Sequence, residues 1–409
     1  MKTLPMDSYT NARKALAKTL PKGSILILAG NIELERTKDV PYPFRQSNNF
    51  LYLTGINIPD AYLVLAHESE ELYIKQLHPF MEAWEGRSNK IAELEKMSGI
   101  NQISEYKKLD ELIENVLEKA KGVVYLDMPD THEAQPAAWQ LWRMIQDNYP
   151  EIELAAINDQ IDALRVVKSP EEIDLIQTAI DETYLALNHV IPLLKPGVTE
   201  LEIAAEFVRF ASAKGLEQAW PPIVSFGKNS CVIHHTPDQT ALKAGDLVLF
   251  DVGLEVGGYA SDISRTLQIG EGSERQDKVR QAVADVQAES IKLMKPGIKF
   301  DEFERQSAQI TIHKLVELGL FKSAEEANQP EGDLQWPAYR RYFNHYTSHF
   351  LGLDAHDVGD REAEFVPDMV LTCEPGIYIA EEGIGVRIED DILITMQGNE
   401  ILSAEQGHR

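Results

Sequence analysis

The strongest constraint on the fold of this chain is a short near-repeat. Leu193-Leu194-Lys195-Pro196-Gly197-Val198 returns one hundred residues later as Leu293-Met294-Lys295-Pro296-Gly297-Ile298. Each copy closes a long helical pattern, about 170 to 191 and about 274 to 294, and precedes another helix and then strand-like segments. Pro-Gly after a helix is ordinary punctuation on its own, because proline cannot continue the helix and glycine tolerates the left-handed backbone that ends it. Here the whole order recurs, which predicts a second part of the chain built from two related halves.

Each half leads to a hairpin that carries two acids. In the first, Leu247-Val248-Leu249-Phe250-Asp251-Val252-Gly253 runs through Gly257-Gly258 into Ala260–Leu267. A turn centred near Val256-Gly257 sets Asp251 opposite Asp262. In the second, Leu371-Thr372-Cys373-Glu374 runs through Glu381-Glu382-Gly383 to Arg387-Ile388-Glu389, which sets Glu374 opposite Glu389. Like charges facing each other across a ladder are destabilising, more so within apolar runs. A divalent metal would cancel the repulsion; alternatively one acid of each pair faces solvent, or pairs with Arg265 or Arg387.

Histidines bear on the kind of metal. His345 and His349, four residues apart, would share one face of a helix, and His356 closes the run from His349. An imidazole among four carboxylates suits Mn, Fe, Co or Zn better than Ca or Mg. His234-His235 falls between two predicted strands; His234 is a candidate for orienting substrate, while nothing singles out His235.

The first part of the chain alternates predicted strands (25–29, 61–66, 123–127) with helices (7–20, 110–121, 137–148), the pattern of an α/β layer. At Ser169-Pro170 an N-cap followed by a first-turn proline opens a new helix, so domains are expected at 1–165 and 166–409. The formal net charge of -27 makes nucleic acid and anionic membrane surfaces poor partners. Two cysteines in 409 residues imply no disulfide framework and suit a reducing cytoplasm, and the N-terminal stretch lacks the apolar core of a signal peptide.

The order Asp251, Asp262, His349, Glu374, Glu389 resembles the five-ligand dinuclear centre of the pita-bread metallopeptidases. The strings at 349–359 (HFLGLDAHDVG), 373–379 (CEPGIYI) and 386–395 (VRIEDDILIT) are similar to the proline-specific branch, and Phe44–Gly55 (FRQSNNFLYLTG) is similar to the aminopeptidase P signature ahead of the catalytic domain. The resemblance implies an α+β protein: a pita-bread catalytic domain with a pseudo-twofold internal repeat, preceded by a smaller α/β domain. Two departures fall where substrate is expected to pass. Phe226-Gly227 stands where the family has Ser-Gly before its asparagine, here Asn229, and Tyr346 stands where a glycine commonly follows the first histidine.

The implied activity is release of the first residue from peptides with proline at position two. Two divalent ions, Mn(II) first with Zn, Co or Fe as alternatives, are implied, Asp251 holding one, His349 and Glu374 the other, with Asp262 and Glu389 bridging. About 3.5 Å apart, such ions share a water and provide hydroxide at neutral pH. Glu374 is the implied general base; His234, His345 and His356 hold the substrate carbonyl; Arg387 orients the carboxylates from the same strand face as Glu389. Tyr378 shares the Glu374 face, although core packing is its more ordinary role. A soluble cytoplasmic homo-oligomer, dimer or tetramer, is expected. The alternatives are a prolidase restricted to Xaa-Pro dipeptides and a non-catalytic pita-bread binding protein.

Overall fold

Five consecutive apolar residues, Ile25–Ala29, form a strand buried along its whole length, and such a run has to lie inside a sheet covered on both faces. The computed structural model describes residues 2–86, 90–128 and 135–404, and the chain divides into one unit from Thr3 to Arg165 and a second that begins at Val166. In the first unit Ile25–Ala29 pairs antiparallel with Ala61–Ala66 and parallel with Val124–Leu126. Glu70–Lys75 and Ile103–Tyr106 extend the sheet beyond Ala61–Ala66, and Leu154–Ala156 extends it on the other side, giving six strands. Helices Leu109–Leu117 and Pro136–Asn148 cover it with Leu112, Ile113, Val116, Leu141 and Ile145, packed on Ile25, Ile27 and Leu126.

The segment Phe44–Gly55 is tied into this unit. Gln46 Oε1 accepts from the backbone N–H groups of Asn31 (2.5 Å) and Ser47 (2.8 Å), while its Nε2 donates to Ile58 O at 2.8 Å. Asn49 Nδ2 donates to Asp127 Oδ2 at 3.0 Å, and Arg165 Nη1 donates to Asn49 Oδ1 at 2.7 Å. Helix Asn48–Thr54 stops at Gly55, which has a φ of 69° and packs so closely that an added Cβ would lie 2.5 Å from the Tyr9 ring.

In the second unit the two copies of the repeat do the same work. Helices Pro170–Val190 and Glu274–Leu293 open the halves, and each begins with a capping box, Ser169 with Glu172 and Ser273 with Gln276. Helices Glu200–Ala213 and Phe300–Glu317 follow the turns. Gly197 and Gly297 both take a positive φ, 101° and 88°, which their lack of a Cβ permits. Their N–H groups donate to Leu242 O (2.8 Å) and Phe365 O (2.9 Å), and the N–H groups of Leu242 and Phe365 return bonds to Val198 O and Ile298 O, both at 2.8 Å. Equivalent bonds at equivalent residues establish the internal pseudo-symmetry.

Two local expectations are corrected. The first hairpin turns on Gly257 and Gly258, both with positive φ (61° and 88°), as a two-residue turn with left-handed residues at both central positions requires. Asp251 therefore faces Ser264 rather than Asp262. The shift is by two residues, so Asp262 stays diagonal to Asp251 on the same face. The stretch around His345 and His349 is not helical. Residues 347–351 run extended beside strand Val370–Cys373, with Thr372 N–H donating to His349 O at 2.9 Å and Leu351 N–H to Val370 O at 3.0 Å.

The paired capping boxes give a test of equivalence. Ser169→Ala and Ser273→Ala are each expected to lower stability by about 1 kcal/mol, and the double variant by their sum, since the sites share no partner. Urea unfolding of the three proteins measures this; a silent Ser273→Ala beside a costly Ser169→Ala would break the parallel.

Candidate metal centre

The second hairpin has a gap. Val370–Cys373 pairs with Asp390–Thr395, and Gly376–Ile379 pairs with Ile384–Arg387, in one continuous register that leaves Glu374, Pro375, Ile388 and Glu389 between the ladders. Pro375 has no N–H to give a ladder, and the glutamates bond elsewhere: Glu374 N–H to Thr347 O at 2.8 Å and Glu389 N–H to Ser264 O at 3.1 Å. That opening turns both carboxylates toward the first hairpin, where Asp251 lies near the end of strand Leu247–Val252 and Asp262 immediately precedes strand Ile263–Gln268.

His349 completes the group. Its Nδ1 lies 3.0 Å from the Phe350 carbonyl and so carries the proton, leaving Nε2 with a free lone pair. Nε2 is 3.4 Å from Asp262 Oδ2 and 3.5 Å from Glu374 Oε1. One ligand atom each from Asp262, His349 and Glu389 falls within a mutual 4.8 Å.

A buried guanidinium orders the rest. Arg387 donates through Nη2 to Asp251 Oδ2 (2.5 Å), through Nε to Ser264 Oγ (2.8 Å) and through Nη1 to the Tyr378 hydroxyl (2.9 Å). The Ser264 hydroxyl donates to Glu389 Oε2 at 2.7 Å. Tyr378 in turn donates to His345 Nε2 at 2.8 Å, and His345 Nδ1–H meets Tyr346 O at 2.7 Å. Both nitrogens of His345 are thus engaged within the protein. Among the described residues no hydrogen bond is made by the imidazoles of His234 and His356, which line the same cavity of about 1220 Å³ as the four carboxylates, His345, His349 and Arg387.

Burial dominates the electrostatics. It pushes Asp262 and Glu374 well above the usual carboxylate range, with the charge of Glu389 as the next cause for both; Glu389 is raised by burial and by Asp251. Burial pulls His345 down to about 3 and His356 down to about 4, so both imidazoles are neutral near pH 7. Asp262 is nearly inaccessible to solvent, yet its Oδ1 has no hydrogen-bond partner. Crowded carboxylates, an orphaned buried oxygen and an imidazole with its lone pair turned inward are a donor set that fits divalent cations.

Several partners escape a reading of sequence alone. Tyr378 is part of the site rather than only of the core. Ser264 and Asp391, whose Oδ2 accepts the Asp262 N–H at 3.1 Å, each lie two residues beyond a named acid, the spacing that shares a strand face. His235 has a partner as well, Glu200 at 2.7 Å. Of the two departures, Tyr346 lines the cavity and is half exposed, whereas Phe226 and Gly227 are not among the lining residues and Phe226 is buried. The closeness of Arg387 and Asp251 realises one pairing weighed above, while Arg265 pairs with Asp390 at 2.7 Å.

A two-halved α+β unit with such a centre defines a metal-dependent hydrolase, and residues 174–396 match Metallopeptidase family M24, to which this chain belongs. Residues 9–125 match the aminopeptidase P N-terminal domain. The chain is 31% identical to the Xaa-Pro aminopeptidase of Haemophilus influenzae, covering 99% of this chain and 95% of that one, and 31% identical to that of Escherichia coli, covering 99% and 96%. Among solved structures, proline aminopeptidase P II from Yersinia pestis superposes with a TM-score of 0.86 at 30% identity, and Zn-substituted E. coli aminopeptidase P in complex with product with 0.87 at 29%, each covering 98% of this chain and 96% of the other.

Raised carboxylate pKa values carry a sign. In the metal-free protein the folded state holds protons that the unfolded chain has already released, so the cluster loses stability as pH rises through the shifted values. A bound cation displaces those protons. Divalent metal is therefore expected to bind more tightly at about pH 7.5 than at about pH 5.5, with proton release. Titration calorimetry in two buffers of different ionisation enthalpy measures both, and affinity independent of pH would contradict the assignment.

Proposed function

We propose that this chain hydrolyses the first peptide bond of peptides with proline at position two, releasing the first residue. The observation that carries this reading is the meeting of Asp251, Asp262, His349, Glu374 and Glu389 on one cavity wall, in a chain whose full-length relatives are named Xaa-Pro aminopeptidases.

Asp251 on one side, His349 and Glu374 on the other, and Asp262 and Glu389 between them would hold two divalent ions, Mn(II) first, with Zn, Co or Fe suited to the same donors. When bound, such ions polarise a carbonyl and lower the pKa of water enough for attack at neutral pH. Glu374 takes the proton of the attacking water and hands it to the departing proline nitrogen. That nitrogen belongs to a tertiary amide with no N–H, so it must receive a proton to leave as an amine. His234 and His356, unbonded by the protein, donate to the oxygen that gains charge. His345 acts through Tyr378, holding its hydroxyl against Arg387, and Arg387 fixes Asp251 beside the substrate's free amine. Trp220, Pro221, Trp336 and Tyr346 give the cavity apolar walls suited to the proline ring. The cytoplasm suits the two free cysteines, and a homodimer or homotetramer is the working form that the family resemblance implies.

Activity on Ala-Pro-Ala, Ala-Pro, Ala-Ala-Ala and N-acetyl-Ala-Pro-Ala tests this reading. Cleavage of Ala-Pro-Ala between Ala and Pro, faster than of Ala-Pro and with the other two resistant, is expected. Turnover of Ala-Pro alone would make the chain a prolidase.

Substitutions test the roles. His349→Ala or Asp262→Ala should lose metal and more than about 100-fold in kcat, beyond the scale of a supporting partner. His234→Ala and His356→Ala should keep metal and lose about 100-fold. Elemental analysis beside kinetics separates the two classes, and an active His349→Ala would overturn the ligand set.

A further inference from the structure

The chain between strands Ile223–Phe226 and Leu247–Val252 carries His234, and beyond the short turn of helix at Gly227–Cys231 it has no extended regular structure. One buried side chain gathers it. Glu200, the first residue of helix Glu200–Ala213, is fully shielded from solvent. Its Oε1 accepts from Phe226 N–H at 2.6 Å and Asn229 Nδ2 at 3.0 Å; its Oε2 accepts from His235 Nε2 at 2.7 Å and Asp238 N–H at 3.2 Å. The helix returns bonds to the same segment, from Glu200 N–H to Thr240 O at 3.2 Å and from Leu201 N–H to Asp238 O at 3.0 Å. Glu200, His235 and Asp238 lie close enough to hold an ion, but a carboxylate has about four acceptor positions, and these four donors use them. The cluster is a hydrogen-bonded clamp.

We infer that Glu200 and His235 are positioning residues for His234, an inference that rests on the proposed peptidase reading. His235 turns Nε2 onto the buried carboxylate. The imidazole of the preceding residue, bonded to nothing else in the protein, is thereby left to the cavity at a fixed place. Without the clamp the segment would drift, and displacement of a substrate-holding group by about 1 Å can cost on the order of 100-fold in rate. Because the clamp keeps three other donors when His235 is lost, a smaller effect is expected from that change alone.

The test uses the metal-loaded full chain with Ala-Pro-Ala as substrate. His235→Ala should lower kcat about tenfold with KM and metal content unchanged, and His235→Gln, which restores a donor toward Glu200, should recover most of that loss. In a His234→Ala background His235→Ala should cost nothing further, because residues that act as a unit are not additive. Hydrogen exchange across residues 226–242 should quicken in His235→Ala and in Glu200→Gln. Independent, multiplicative losses, or a His235→Ala enzyme with wild-type kcat, would overturn the inference. Should the wild type fail to cut Ala-Pro-Ala, the function reading falls, while unchanged exchange in His235→Ala would by itself remove the clamp.

Discussion

The carboxylate cluster of the second unit is organised around one buried cation, the guanidinium of Arg387. It is almost wholly inaccessible to solvent, and burying such a charge is strongly unfavourable unless its donors are met. They are met by Asp251, Ser264 and Tyr378, one partner on each edge of the planar group, and Ser264 and Tyr378 carry the order onward to Glu389 and His345. A lysine would present a single point charge with no such fork. Arg387 offsets one carboxylate of the cluster; the remaining repulsion is what gives the site its appetite for metal.

Each segment that brings an imidazole to the cavity has its own buried anchor. Glu200 holds the stretch with His234. Both oxygens of Glu304 accept the N–H of Thr347, midway between His345 and His349, at 3.1 and 3.0 Å, and burial pushes this carboxyl up to about 7. Lys168 and Asp357 form an ion pair at 3.0 Å with both side chains 1% exposed, next to His356. Removing one member of such a pair typically costs 3–5 kcal/mol, roughly, because the other charge is stranded. Each of these segments is thus held by a buried polar anchor, which fixes a direction as well as filling space.

What could be read in advance follows from what is local. Ile25–Ala29, Ala61–Ala66 and the helix behind Ser169 are legible because a run of apolar residues or an N-cap signals its own structure. The order Asp251, Asp262, His349, Glu374, Glu389 is readable as a candidate ligand set because residue chemistry survives without geometry. The register of the first hairpin was not, since Gly257 and Gly258 offer two centrings and only the left-handed backbone of both decides between them. Nor was the state of His345 and His349: spacing by four suits a helix, but the pairing of residues 347–351 with Val370–Cys373 overrides it. The Glu200 clamp spans thirty-five residues to His235, a separation at which no periodicity speaks.

The reciprocal bonds of the Lys-Pro-Gly turns, Gly197 with Leu242 and Gly297 with Phe365, close each half upon itself. Each turn therefore holds its geometry with backbone bonds from its own half. Across the seam Arg387 of one half grips Asp251 and Ser264 of the other, and Asp391 accepts the Asp262 N–H, so a side chain changed on one face there strands a buried polar partner on the other.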